Sequence, residues 1–177
     1  MTSTLTLSRP AQASSVPLDF EALYRSARDD VFAYVVTFLS DRSAAEDVTA
    51  LAFERAYRKQ RSFDDSRGSQ RAWLFGIARN AALDELRRRK RQATLAADPE
   101  DVRGGTVEDQ ADRLLQRAAV RAALARLSAR DRELIALKFH AGLENAELAA
   151  VVGVSPSNAG TLLHRAMTKL RETLDAN

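Results

Sequence analysis

"RAWLFGIARNAALDELRRRKR", residues 71–91, holds two different messages in one continuous stretch. Leu74, Ile77, Ala78, Ala81 and Ala82 recur at steps of three and four, which predicts a helix with one buried stripe. Beyond that stripe Arg87 to Arg91 are all cations, and the chain's only tryptophan, Trp73, stands at the other end. Seven cations against two acids within the stretch is the electrostatic footprint of a polyanionic partner. Each feature also has a plain structural reading. The arginines may be read as a solvated helix end, where cations favour the C-terminal carbonyls. Trp73 reads either as a core residue or as a platform on which an unpaired base stacks.

Upstream, "MTSTLTLSRPAQASSVP", residues 1–17, lacks a charged start followed by a long apolar core, so it reads as a disordered arm rather than a signal peptide. From Leu18 to Phe38, Phe20, Leu23, Ala27, Val31, Val35 and Phe38 define one face of a first helix. "LSDRS" interrupts it, and Ser43-x-x-Glu46 has the form of a capping box for a second helix reaching about Lys59. "RSFDDSRGS" is turn chemistry, and Ser69 is an N-cap for the third helix, 70–91. Residues 18–91 therefore form a first helical block.

Downstream, 92–108 combine Pro99, Gly104, Gly105 and several acids with little apolar content, which predicts a flexible linker. Residues 109–177 form a second helical block. A helix from about Asp109 to Arg126 is followed by one capped by Ser128, then by a short helix from Asn145 to Val152. Gly153 supplies a helix end, Ser155 an N-cap and Pro156 a first helical residue for the last helix. Two helices around a short Gly-containing turn, with Val154 as its apolar member, make a helix-turn-helix pattern. An ordinary helical hairpin is the competing reading. In the helix-turn-helix reading Ser157, Asn158, Thr161, His164, Arg165 and Lys169 face a major groove, where Asn suits adenine and Arg or Lys suits guanine or phosphate.

Composition supports helices throughout: of 177 residues, 45% are hydrophobic, while seven glycines and four prolines leave few breaks. Zero cysteines exclude disulfides, thiolate metal sites and cysteine nucleophiles within the chain. The net charge is only +3, so the basic stretch matters through its clustering rather than the total. No apolar run reaches the ~18–20 residues of a membrane span, and a cytoplasmic location is expected. His140 and His164 have no carboxylate cluster between them, and no glycine loop cradles phosphate. No catalytic, metal or cofactor site is expected, and the chain is not expected to be an enzyme.

"AEDVTALAFERAYR", "FDDSRGSQRAWLFGIARNAALDELRRRKR" and the terminal helix-turn-helix, in this order, resemble the extracytoplasmic-function (ECF) sigma factors, small members of the sigma-70 family of bacterial RNA polymerase. The likeness runs from about Phe20 to Arg171, and "WLFGIARNAALDELRR" is its most specific part. It implies an all-α fold of two small domains on a flexible linker. The first would be a sigma-2-like bundle of three or four helices that docks on core polymerase and recognises and melts the −10 element. The second would be a sigma-4-like domain whose last helix reads the −35 element. The resemblance places Asp47, Phe53 and Glu54 on the polymerase-binding helix. Arg67, Arg71, Trp73, Asn80, Arg87, Arg88 and Arg91 fall to the −10 DNA. Ser157, Asn158, Thr161, His164, Arg165 and Lys169 fall to the −35 DNA. Gly160 and Leu162 stand where family members often carry Lys and Arg, and Leu51 replaces a common acid on the clamp-facing helix. Core RNA polymerase, promoter DNA and an anti-sigma factor are the implied partners. A freestanding helix-turn-helix regulator, and a helical adaptor whose arginines bind an acidic protein, are the alternatives.

Overall fold

A computed structural model describes residues 18–95 and 111–176. Among them seven α-helices follow one another: α1 (Phe20–Leu39), α2 (Arg42–Lys59), α3 (Gln70–Leu95), α4 (Ala111–Arg126), α5 (Ala129–Phe139), α6 (Asn145–Val152) and α7 (Pro156–Asp175). Two 3₁₀ turns, Gln60–Ser62 and Asp65–Arg67, join α2 to α3. No helix of the described residues is long and apolar enough to cross a membrane. Residues 96–108 of the expected linker lie outside the described residues, and 92–95 continue α3 instead.

The helix ends follow local chemistry. Ser40 takes a left-handed conformation and its N–H bonds the Val36 carbonyl at 3.0 Å, closing α1. α2 then starts earlier than Ser43. Asp41, not Ser43, is the N-cap, accepting from the Ala44 N–H at 3.2 Å, and Glu46 pairs with Arg42 rather than closing a capping box. A carboxylate two residues upstream outcompetes the hydroxyl because it is the stronger acceptor at the positive helix end. Ser69, Ser128 and Ser155 cap α3, α5 and α7 as the sequence predicts. Gly153 at φ 75° ends α6, and Pro156 opens α7 three residues later.

α1, α2 and α3 pack on one another, while α4, α5 and α6 gather around α7. The expected face of α1 is buried at Leu23, Ala27, Val31 and Val35, joined by Tyr34 and Leu39, which the three-and-four spacing did not mark. Leu74, Ala78, Ala81 and Ala82 bury α3 as expected, with Phe75 added to the stripe and Ile77 at its half-buried rim. The arrangement of the blocks departs from two separate modules. One apolar cluster runs from Tyr34 and Phe75 of the first block into Leu134, Leu137 and Leu148 of the second. A smaller cluster of Ala123, Leu127, Ile135, Ala166 and Leu170 holds α7 to α4 and α5.

Candidate nucleic-acid interface

The turn between α2 and α3 is shaped by its own polar atoms. Asp64 accepts from the Ser66 N–H at 3.0 Å and its hydroxyl at 2.6 Å, and these bonds hold the Asp64 carboxyl below its ordinary pKa. Gly68 at φ 141° lets the chain turn into α3, a conformation that a side chain would strain. Phe63 packs edge-on against Trp73, with centroids 5.6 Å apart. Between this turn, the first turns of α3 and the outer side of α6 lies a cavity of about 540 Å³. Lys59, Phe63, Arg67, Gly76, Trp73 and Asn80 line it from the first block, Ala150 and Val151 from the second. Trp73 is half-buried: it packs on the core and also lines this open space. An aromatic wall with cations and an amide beside it suits a base and its phosphate.

The remaining residues assigned to the −10 DNA divide. Arg67 and Asn80 are exposed at the cavity. Arg71 turns away from it: the guanidinium pairs with Asp30, donates to the carbonyls of Ala141 at 2.5 Å and His140 at 2.8 Å, and lies over the Phe75 ring. Arg87, Arg88 and Arg91 are exposed on the far end of α3. Arg87 reaches Asp84 at 3.4 Å, and Arg88 grips both oxygens of Glu85 at 2.7 Å. Arg89 bridges Glu85 and Asp41 at 2.9 and 2.8 Å, tying α3 to the start of α2. Hydrogen bonds from Arg88, then Arg89, overcome burial and draw the Glu85 carboxyl down to about 2.

On α7, Ser157, Asn158, Thr161, His164 and Arg165 are exposed and share its outer side. Lys169 is exposed too, but its ammonium is committed to Asp131 at 2.7 Å. Burial opposes the Asp131 charge, yet the bonds from Lys169 and Ser128 prevail and hold its carboxyl below the ordinary value. Lys169 therefore fastens α7 to the cap of α5. The two departures on α7 have packing reasons. Leu162 rests against the main apolar cluster, where a cation would be desolvated. Gly160 faces α6, with the Asn145 side-chain nitrogen 3.4 Å from where a Cβ would stand.

On α2, Asp47 and Glu54 are exposed, and Glu54 pairs with Arg58 at 2.8 Å. Phe53, only 5% exposed, supports this surface from below, edge-on to Phe20 and Tyr24. The aromatic rings that reach solvent here are Tyr24 and Tyr57. Leu51 likewise packs on the core, which accounts for its standing where an acid is common. Helical spacing alone could not separate Phe53 from its exposed neighbours, because the block's end is aromatic on several sides.

Sequence reasoning also missed the residues that join the blocks. Ser69 donates its hydroxyl to Glu147, and Arg79 donates to Glu133, a carboxylate 4% exposed. The only hint in the sequence is Glu133 itself, an acid placed among Leu134, Leu137 and other core residues of α5.

Comparisons with known proteins agree with this geometry. The sigma-70 region 2 family matches residues 23–92, and the sigma-70 region 4 family matches 117–170. The chain is 31% identical to the ECF RNA polymerase sigma factor SigL of Mycobacterium tuberculosis over 86% of its length and 87% of SigL. It is 26% identical to SigM of Bacillus subtilis over 87% of its length and 94% of SigM. Among solved structures, the sigma factor RpoE of Bartonella quintana, in complex with the anti-sigma factor NepR, matches with a TM-score of 0.71 and 25% identity, covering 90% of this chain and 98% of RpoE. CnrH, in complex with the cytosolic domain of CnrY, matches with a TM-score of 0.65 and 26% identity, covering 89% and 88%. The chain belongs to the extracytoplasmic-function sigma factors of the sigma-70 family, the promoter-specificity subunits of bacterial RNA polymerase.

Proposed function

We propose that this sigma factor opens its promoter by drawing an unpaired −10 base into the cavity beside Trp73 while α7 reads the −35 element. The supporting observation is the pairing, in one chain, of an aromatic-walled cavity in the region 2 block with an exposed outer side of α7 in the region 4 block. Arg67 and Asn80 flank the captured base. Arg87, Arg88 and Arg91 meet duplex phosphates at the other end of α3. On α7, Ser157, Asn158, Thr161, His164 and Arg165 supply the groove contacts. Asp47 and Glu54 on α2 dock core polymerase, with Phe53 holding that surface in shape. The protein performs no catalysis of its own and works in the cytoplasm. Its inhibition by a protein partner is supported by the anti-sigma complexes formed by RpoE and CnrH. A freestanding regulator is not favoured, since region 2 of the sigma-70 family spans 23–92.

The test is transcription by core bacterial polymerase on linear templates covering many promoters. Addition of this chain yields promoter-dependent transcripts, and none on any template overturns the reading. Trp73→Ala impairs use of a duplex promoter more than binding to a pre-melted one, by an amount equivalent to about 1–3 kcal/mol per stacked base. Equal losses on both templates assign Trp73 to the core alone.

A further inference from the structure

We propose that the region 4 block closes the strand-capture cavity in the unbound chain, and that it does so by putting its own acids on donors of the strand-binding surface. The inference rests on the reading of that cavity as the −10 site. Ala150 and Val151 of α6 form the wall facing Trp73, so the second block covers the place a base would enter. Three polar links cross the seam. Ser69, which caps α3 at the cavity's edge, donates to Glu147. Arg71 donates to the carbonyls of His140 and Ala141. Arg79 donates to Glu133.

The chemistry of these links is what a phosphodiester would offer. Carboxylates and carbonyl oxygens sit on a hydroxyl and two guanidiniums, all groups that bond phosphate equally well. The seam is also costly to keep closed. Glu133 and Arg79 are largely withdrawn from water, and the Tyr34 hydroxyl beside them is fully buried without a hydrogen-bond partner. Burying an ion pair gains little over an apolar contact, and an orphaned hydroxyl is a net loss. Parting the blocks rehydrates all three groups, which offsets part of the loss of apolar contact. A strand that supplies phosphate to Arg71 and Arg79 shifts the balance further toward the open form. Closure and strand capture are therefore mutually exclusive.

The experiment measures binding of the full-length chain to a fluorescein-labelled pool of single-stranded oligonucleotides of randomised sequence, by anisotropy. Glu133→Gln combined with Glu147→Gln weakens the seam without touching the cavity's first-block wall. It is expected to tighten binding roughly fivefold or more, the lower end of ordinary two-state coupling. A second variant guards against misfolding of the first. Because the chain has no cysteine of its own, Ser69→Cys with Glu147→Cys can form one disulfide across the seam. The oxidised protein is expected to bind the pool more weakly than the same protein after reduction. Trp73→Ala is added to each background. Unchanged affinity in the double glutamine variant, together with equal binding by the oxidised and reduced disulfide pair, overturns the closure while leaving capture intact if Trp73→Ala still weakens binding. No effect of Trp73→Ala in any background instead removes the capture site on which the inference stands.

Discussion

Glu85 shows how one side chain can serve two neighbours at once. Its carboxylate is forked by Arg88 and bonded by Arg89, and the second of these also reaches Asp41 at the start of α2. A carboxyl drawn from the usual 4.5 to about 2 in the folded state stabilises the fold above its unfolded pKa and loses that contribution as pH falls through the folded one. The melting temperature of the wild type should therefore fall more steeply between pH 4.5 and about 2 than that of Glu85→Gln. Parallel acid profiles would mean that the arginine fork contributes nothing in solution. The same residue qualifies the arginine cluster: runs of cations look alike in a sequence, but here Arg89 is partly invested in holding α3 to α2.

Helices and their caps were the most legible feature. Periodicity located α1, α2, α3 and α5 to α7, and the Gly153-Val154-Ser155-Pro156 sequence located the turn of the helix-turn-helix. The misplaced start of α2 arose because two acceptors, Asp41 and Ser43, lie within one turn and only geometry decides between them. What spacing could not convey was the division of labour along α7. Lys169 looks like a groove residue until the buried Asp131 appears beneath it, and Gly160 looks like a DNA-facing gap until Asn145 appears opposite. Gly160 is helical and the printed approach is an ordinary van der Waals contact, so an added methyl fits. Gly160→Ala should raise stability by up to about 1 kcal/mol through helix propensity alone, measured by urea unfolding. A destabilised variant would show that α6 and α7 cross more tightly than 3.4 Å implies.

Across the whole molecule, the all-helical class and the two-block order could be read before any coordinates, because composition, capping residues and the resemblance all pointed the same way. The contact between blocks could not. It joins residues far apart along the chain, such as Arg79 with Glu133 and Ser69 with Glu147, and no local pattern encodes such pairs. An apolar cluster continuous from Tyr34 and Phe75 to Leu148 couples the two halves energetically. Scanning calorimetry should accordingly show one unfolding transition for the wild type, and the Glu133→Gln/Glu147→Gln variant should resolve two. Two transitions in the wild type would mean that the halves melt independently despite their shared core.

The shared core also governs how the protein behaves in storage and in crowded company. Leu134, Leu137 and Leu148 are shielded only while the halves embrace, so an extended copy bares greasy patches to its neighbours. Extended copies left without polymerase would self-associate and be lost to precipitation. Folding back on itself thus gives the molecule its own shelf life.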